Sequence, residues 1–301
     1  MIYLLTAIAA MSLIMLTLKF FGIKGIYTPQ AIMVNYFMAL AIAVINGRGY
    51  LDWPSIRHAF ETNWWYLALL SGLLYFGSMD IMAASTRRTG VSVTTMASRT
   101  SVILPIIWSC LFLNEQIVFW EAVGILLVIG AFGMIIYRPE KNSLRSNTNC
   151  LMSAVLPLAV FLSVGFIAVC MKTSQHIIKT GDSYATDYPL FEFLLFSAAF
   201  GGSVICYGIK EKRQAFVLRT KSIIGGLCLG TFNYLVTIGL MNGLKYFSSS
   251  TFYGIYNISV VVVSTAIGVI AFGEKLDRGK KIGILMALAA IFILGFFGKS
   301  L

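Results

Sequence analysis

Two side chains of opposite charge stand inside apolar stretches of the sequence. Asp80 lies in the run 64–86 and Arg99 in the run 91–113. Ionisable groups are costly within hydrocarbon, and where they occur they usually mark a substrate, ion or proton pathway. The short connection between the two runs predicts a helical hairpin, in which both groups lie about 12–14 Å from the turn. We therefore expect Asp80 and Arg99 to pair near the middle of the membrane.

Such a pair has two interpretations. In the functional one, Arg99 receives a substrate carboxylate or phosphate, and Asp80 receives an ammonium group or a proton. In the structural one, the pair is a salt bridge that fixes the hairpin, since removal of one partner would leave an uncompensated buried charge. The sequence is compatible with both.

Glu192 is a third ionisable group within an apolar run, 188–207, and no partner for it is evident. A carboxylate in a membrane helix is a candidate proton carrier, which would make a proton the coupling ion. The alternative is a hydrated position near the outer end of its helix.

Polar and aromatic side chains recur in several of the apolar runs. A mostly apolar pocket with a few convergent polar groups is typical of a small-molecule site, although each residue alone is equally typical of interhelical hydrogen bonding. The predicted substrate-binding set therefore also contains Asn35, Tyr75, Asn233, Tyr234, Tyr253, Tyr256 and Asn257.

The elements that carry these residues are too apolar for a soluble protein. Of 301 residues, 58% are hydrophobic and 12% charged, whereas soluble domains average about 25% charged residues. The mean hydropathy is +0.84. The net charge of +11 comes from basic residues in short loops between apolar runs, which indicates a membrane protein and excludes a nucleic-acid-binding one. Five cysteines without a CxxC motif predict neither disulfides nor a metal site.

Ten runs are long enough to cross a bilayer, which takes about 20 apolar residues. Such runs form helices, because backbone polar groups must be satisfied within hydrocarbon. The sequence therefore predicts an all-α polytopic membrane protein with ten transmembrane helices. Their ranges are 2–21, 28–46, 64–86, 91–113, 117–137, 151–172, 188–207, 222–243, 249–272 and 281–298.

The basic residues predict how these helices are oriented. Of the 23 Lys and Arg residues, sixteen lie on the face that follows the odd-numbered runs, six lie on the opposite face, and the last is Arg99. Because cytoplasmic loops are enriched in Lys and Arg, both termini are predicted to lie outside the plasma (inner) membrane. The basic segment 210–221 is expected to contact lipid headgroups.

Two stretches, 113–136 and 272–295, look like copies of one element: a short loop with a carboxylate, then an apolar helix. With five helices in each half, the second half would enter the membrane upside down, as in the inverted repeats of many secondary transporters. We predict two five-helix repeats, 1–140 and 150–301, and expect each loop glutamate to cap the helix after it. At a shift of 159 residues the copies match at Glu115/Glu274, Gly124/Gly283, Ile125/Ile284, Leu126/Leu285 and Ala131/Ala290.

On these residues the sequence resembles the EamA-type, ten-helix branch of the drug/metabolite transporter (DMT) superfamily. The resemblance is carried by FLNEQIVFWEAVGILLVIGAFGMII, by FGEKLDRGKKIGILMALAAIFIL, by GLKYFSSSTF at 243–252, and by Pro105. It implies two inverted five-helix bundles around a central cavity, and export or exchange of small metabolites. External termini depart from the internal termini usual in that branch.

The predicted function is secondary transport of a small metabolite by alternating access around a midplane cavity. No P-loop motif indicates ATP hydrolysis, and no HExxH or GxSxG motif indicates an enzyme, so we expect no catalysis, cofactor or metal. The alternatives are a non-transporting membrane partner or receptor, and an intramembrane enzyme acting on lipid-linked substrates. The expected partners are a small-molecule substrate, membrane lipids and a proton.

Overall fold

The part of the chain that the structure describes, in a computed structural model, is built of helices. The described residues are 1–62, 64–89, 91–136, 150–180, 184–211, 217, 219–272 and 278–297. The all-α prediction is confirmed for these residues. The helices are α1 (Ile2–Lys24), α2 (Thr28–Gly47), α3 (Trp53–Glu61), α4 (Trp65–Thr89), α5 (Val91–Thr100), α6 (Ile103–Phe112), α7 (Phe119–Ile136), α8 (Cys150–Thr180), α9 (Tyr184–Glu211), α10 (Thr220–Gly243), α11 (Ser249–Phe272) and α12 (Arg278–Phe297).

Within the described residues, five helical segments are long and apolar enough to cross a membrane. They are Thr28–Gly47, Trp65–Met82, Val155–Thr180, Asp187–Lys210 and Thr220–Gly243. Shorter apolar helical stretches lie in the other predicted spans, at Ile2–Leu18, Ala97–Phe112, Phe119–Ala131, Ser249–Val263 and Lys281–Leu294. Large apolar side chains on these helices are exposed, which suits helices that face lipid.

The prediction of one continuous helix over 91–113 is wrong. The segment forms two helices, α5 and α6, which are separated at Ser101 and Val102. Pro105, in the first turn of α6, has no N–H to donate to the carbonyl of Ser101. That carbonyl instead accepts a hydrogen bond from the Leu104 amide at 3.0 Å, the tighter spacing of a 3-10 turn. The break begins directly after the last turn of α5, which carries Arg99.

One short helix, α3, was not predicted and lies in the connection between α2 and α4. Asp52 caps α3 by accepting a hydrogen bond from the Ser55 amide at 3.1 Å. Ala59 is buried, whereas Trp53 is 77% and Phe60 51% exposed. A short amphipathic helix with exposed aromatic side chains is suited to the membrane–water interface.

The chain folds into two compact units that do not follow the two halves of the sequence. Unit 1 is Met1–Phe76 with Cys170–Lys245, and unit 2 is Gly77–Val169 with Tyr246–Leu301. The predicted repeats, 1–140 and 150–301, concern duplication of sequence rather than compactness and stay a prediction. The segment between them, 137–149, lies outside the described residues.

In unit 1, α10 packs against α1 and α2, and α2 also packs against α9. The contact of α10 with α2 depends on two glycines. A Cβ atom on Gly226 would stand 2.6 Å from the carbonyl oxygen of Ala31, and one on Gly230 would meet the carbonyl of Asn35. Only residues without a side chain allow the two backbones to approach this closely.

In unit 2, the most extensive helix contact is between α7 and α12, the helices of the two stretches predicted to be copies. Three buried positions on each helix correspond at the 159-residue shift, and Leu126 and Leu285, also related by that shift, are both exposed. The two helices therefore bury equivalent faces. The corresponding buried positions are Gly124, Val128 and Ala131 on α7, and Gly283, Ala287 and Ala290 on α12.

Candidate functional site

Unit 1 contains a cavity of about 300 Å³ among α2, α9 and α10. Helix α2 contributes Asn46 near its C-terminal end, and Tyr50 follows it. Helix α9 contributes Tyr188, Pro189 and Glu192 from its first turns. The remaining wall consists of Ile238 and Asn242 of α10 and of Lys245, just beyond it.

The spacing of these residues explains why they meet. Tyr188 and Glu192 are four residues apart, which places them on one face of α9. Ile238 and Asn242 are likewise four apart on α10, and Lys245 follows three residues later. The cavity is therefore formed where side-chain stripes of two helices face the C-terminal end of a third.

Glu192 is the buried carboxylate of this cavity, with only 3% of its surface exposed. Its partner is the Tyr234 hydroxyl of α10, which hydrogen-bonds the carboxylate. The same hydroxyl accepts a hydrogen bond from Asn46 Nδ2 at 2.9 Å. Glu192 lies near the start of α9, as its alternative interpretation expects, and its side chain is buried and held by a chain of hydrogen bonds.

Lys245 supplies the opposite charge. Its Nζ lies 4.1 Å from the centroid of the Tyr188 ring, an attractive arrangement of a cation over an aromatic face. Its carbonyl oxygen accepts a hydrogen bond from Lys179 Nζ at 3.1 Å, which holds the turn after α10. Partial burial lowers the pKa of Lys245 to about 8, from an ordinary 10.5. The cavity wall thus contains an acid and a base.

Unit 1 also brings together other predicted residues beside this cavity. Asn233 Nδ2 donates to Asn35 Oδ1 at 3.3 Å, linking α10 to α2 one residue before Tyr234. The Tyr75 hydroxyl lies 3.7 Å from the sulfur of Met171. These three side chains hold helices together within unit 1, and the wall of the cavity is made by others.

The remaining five predicted residues, which include Arg99, belong to unit 2. Arg99 is 6% exposed, and its Nη1 donates to Asn257 Oδ1 of α11 at 3.2 Å. Its Nε makes no hydrogen bond to any residue that the structure describes. Asn257 Nδ2 in turn donates to the Tyr253 carbonyl at 3.0 Å, and Tyr256 lies one turn along on the same helix. The cation occupies the C-terminal turn of α5, where the helix dipole favours positive charge.

Asp80 lies on α4 within unit 2 and is partly buried. Arg99 hydrogen-bonds Asn257. Asn257 belongs to the predicted substrate-binding set, but the sequence did not predict that it contacts Arg99. The pairing of Asp80 with Arg99 stays a prediction.

A carboxylate cluster in unit 2 is structural. Glu121 is fully buried and accepts hydrogen bonds from the Ser248 and Thr251 hydroxyls, each at 2.8 Å. Glu115 accepts from the Ser249 amide at 3.0 Å. Glu115 therefore caps α11, whose N-terminal amides need an acceptor, and the capping of α7 stays a prediction. Glu274 lies outside the described residues.

Sequence reasoning missed seven of the eight residues that line the cavity, namely Asn46, Tyr50, Tyr188, Pro189, Ile238, Asn242 and Lys245. Tyr188 carried a usable signal, since it precedes Glu192 by one helical turn. Lys245 and Asn46 carried none, because each looks like an ordinary polar residue at the end of an apolar run. Among the residues searched, no group of three or more His, Cys, Asp or Glu side chains could hold a metal ion.

Comparison with known proteins places the fold but names no activity. No protein-family model matches the sequence. An uncharacterized protein of Haemophilus influenzae is 25% identical over 283 residues, which cover 92% of this chain and 91% of that protein. A solved crystal structure matches with a TM-score of 0.71 over 99% of this chain and 96% of its own, at 12% identity. At that identity the likeness concerns the fold alone.

Proposed function

We propose that this protein is a secondary transporter of a small solute in the plasma (inner) membrane, working by alternating access. The observation that carries the proposal is the cavity of unit 1, where a buried carboxylate and a lysine line about 300 Å³ among helices that are long and apolar enough to cross a membrane. Polar groups that converge in an apolar surrounding are the usual form of a small-molecule site, and buried charges in membrane helices usually serve transport.

The proposed architecture is ten transmembrane helices in two inverted five-helix repeats, as in the EamA-type branch of the DMT superfamily. Each of the ten predicted spans coincides with an apolar helical stretch, which supports the count. The equivalent buried faces of α7 and α12 support the duplication. A receptor or an intramembrane enzyme would not require these features.

The predicted topology also gives the cavity a direction. Asn46, Tyr188 and Lys245 lie beside connections that the Lys and Arg distribution assigns to the outside. Of the lining residues, Tyr50 is 38% exposed, whereas Glu192 is buried. We infer that the cavity receives solute from the outer side in the conformation described.

The test is transport by the purified protein. Thermal-shift screening of amino acids, organic acids, nucleosides, sugar phosphates and amines would select stabilising solutes, since a ligand at about 100 times its Kd stabilises by about 2.7 kcal/mol. Those solutes would then be assayed by counterflow in proteoliposomes. We expect at least one to accumulate, and Glu192→Gln to lower its transport about tenfold or more through loss of a charged hydrogen bond.

The matched control is Glu61→Gln, which neutralises an exposed glutamate paired with Arg57 on α3. This variant should transport like the wild type. If no solute class moves across the bilayer, the transporter proposal fails. If Glu192→Gln transports as well as Glu61→Gln, transport stands but the cavity is not its site.

A further inference from the structure

The cavity of unit 1 is lined by two side chains of opposite charge, the Glu192 carboxylate and the Lys245 ammonium. Glu192 is 3% exposed and is held by Tyr234. Lys245 is held over the ring of Tyr188. Tyr188 precedes Glu192 by four residues, so their Cα atoms are ~6 Å apart along the axis of α9, and both charged side chains line the same cavity.

The rest of the lining is either neutral and polar or apolar. Asn46 and Asn242 each have an amide that can donate and accept hydrogen bonds. Tyr50, Pro189 and Ile238 add apolar surface beside them. A ligand would therefore find two charged ends and an apolar flank.

A singly charged ligand does not match this lining. A lone cation that approached Glu192 would meet the Lys245 ammonium in the same cavity, and a lone anion that approached Lys245 would meet the Glu192 carboxylate. Like-charge juxtaposition of this kind is costly and acts against the wrong ligand. A ligand with both charges satisfies both residues.

Building on the transport function proposed above, we propose that this cavity binds a small zwitterion with an apolar side chain. The Glu192 carboxylate receives the ligand ammonium, and the Lys245 ammonium receives the ligand carboxylate. The apolar side chain lies against Tyr50, Pro189 and Ile238. The volume, about 300 Å³, is at the lower end for ligand sites and limits the ligand to the size of a single amino acid.

The first experiment varies the ligand and uses the wild-type protein, so that it does not depend on a variant that folds. Binding to the purified chain would be measured by calorimetry for glycine, L-leucine and L-phenylalanine. Three analogues of leucine complete the set: 3-methylbutylamine, which lacks the carboxylate, 4-methylpentanoate, which lacks the ammonium, and 4-methylpentanamide, which has neither charge. We expect at least one zwitterion to bind, and leucine to bind about tenfold or more tightly than each analogue.

The second experiment varies the protein. Glu192→Gln should weaken leucine and 3-methylbutylamine but leave 4-methylpentanoate unchanged or tighter, because repulsion by the carboxylate is removed. Lys245→Met should do the reverse. Glu61→Gln and Lys24→Met, both at exposed positions, should bind all probes like the wild type.

Several results would overturn the proposal. One is that none of the three zwitterions binds. Another is that leucine binds with the same affinity as 3-methylbutylamine or 4-methylpentanoate. A third is that Glu192→Gln and Lys245→Met change the affinity for every probe equally. Transport is separable from binding. Leucine binding without counterflow would uphold the zwitterion site and contradict the transporter, whereas counterflow of another solute class without zwitterion binding would do the opposite.

Discussion

Glu192 and Arg99 accommodate a buried charge in two different ways. Glu192 shares its cavity with a lysine and accepts a hydrogen bond from a tyrosine. Arg99 donates to a neutral amide and lies in the C-terminal turn of a short helix. A charge without full compensation is expensive in a membrane, so both arrangements carry a cost that a purely structural helix packing would not need. In the proposed transporter, the buried Glu192 carboxylate serves to bind the solute.

The lowered pKa of Lys245 leads to a prediction about stability. The folded protein releases this proton at a pH of about 8, whereas an unperturbed lysine keeps it up to 10.5. Between these values the unfolded chain binds more protons than the folded chain, so stability should rise with pH. The penalty of burying the charged form is present below a pH of about 8 and is relieved above it.

This prediction is measured as the apparent Tm in detergent between about pH 7.5 and pH 9.5. The wild type and Lys24→Met, which changes an exposed lysine, should gain more from the rise in pH than Lys245→Met. An identical pH response in all three proteins would show that Lys245 is not the group responsible.

At the level of the helix, two sequence features decide where the site residues stand. Pro105 interrupts the fourth predicted span and separates α5 from α6 just after Arg99. Discontinuous helices in transporters often lie at binding sites, because they expose polar backbone groups there. In unit 1 the small residues of α10 allow α2 to approach, which brings Asn46 within reach of Tyr234.

Gly226→Ala should therefore destabilise the protein by about 1–3 kcal/mol, since the added Cβ would meet the Ala31 carbonyl and Val34 and force the helices apart. The measurement is thermal unfolding of the purified protein in detergent. The matched control is Gly201→Ala on α9, where an added Cβ has no neighbour within 4 Å. That variant should be neutral or slightly stabilising, because alanine favours the helix by up to about 1 kcal/mol. Equal effects at the two positions would contradict the packing argument.

At the scale of the whole molecule, the boundaries of the two compact units differ from the boundaries of the two predicted repeats. Each compact unit contains residues from both halves of the sequence. An inverted repeat is compatible with this division, because the contact between α7 and α12 joins corresponding helices of the two proposed repeats. The two halves of this protein are therefore expected to depend on each other for folding.

The proposed inverted repeat, oriented by the Lys and Arg distribution, predicts a specific topology. With the five native cysteines replaced, a cysteine introduced by Ser300→Cys should react with a membrane-impermeant maleimide in intact cells. One introduced by Ser143→Cys, in the predicted cytoplasmic segment between the repeats, should react only after the membrane is opened. The opposite pattern would place the termini inside, and equal protection or equal reactivity would contradict an outer C-terminus with an inner linker.

The sequence by itself determined the all-helical class and the apolar segments, five of which are helices long enough to cross a membrane, because hydropathy is a property of each residue and adds up locally along the chain. It also identified Glu192 and Tyr234 as candidates, since polar groups in apolar runs stand out individually. The sequence did not predict that these two residues form a hydrogen bond, because Glu192 and Tyr234 belong to different helices and meet only through the packing of those helices.

Tertiary structure alone decided the membership of the cavity. Asn46 and Tyr234 are 188 positions apart in sequence and 2.9 Å apart in space, and nothing in the local pattern around Asn46 marks it. Lys245 follows the end of α10, where a lysine is unremarkable, and its proximity to Tyr188 depends on how α9 and α10 pack. The break before α6 is a further example. Pro105 is visible in the sequence, but only the folded chain shows that the Ser101 carbonyl accepts a hydrogen bond from the Leu104 amide instead.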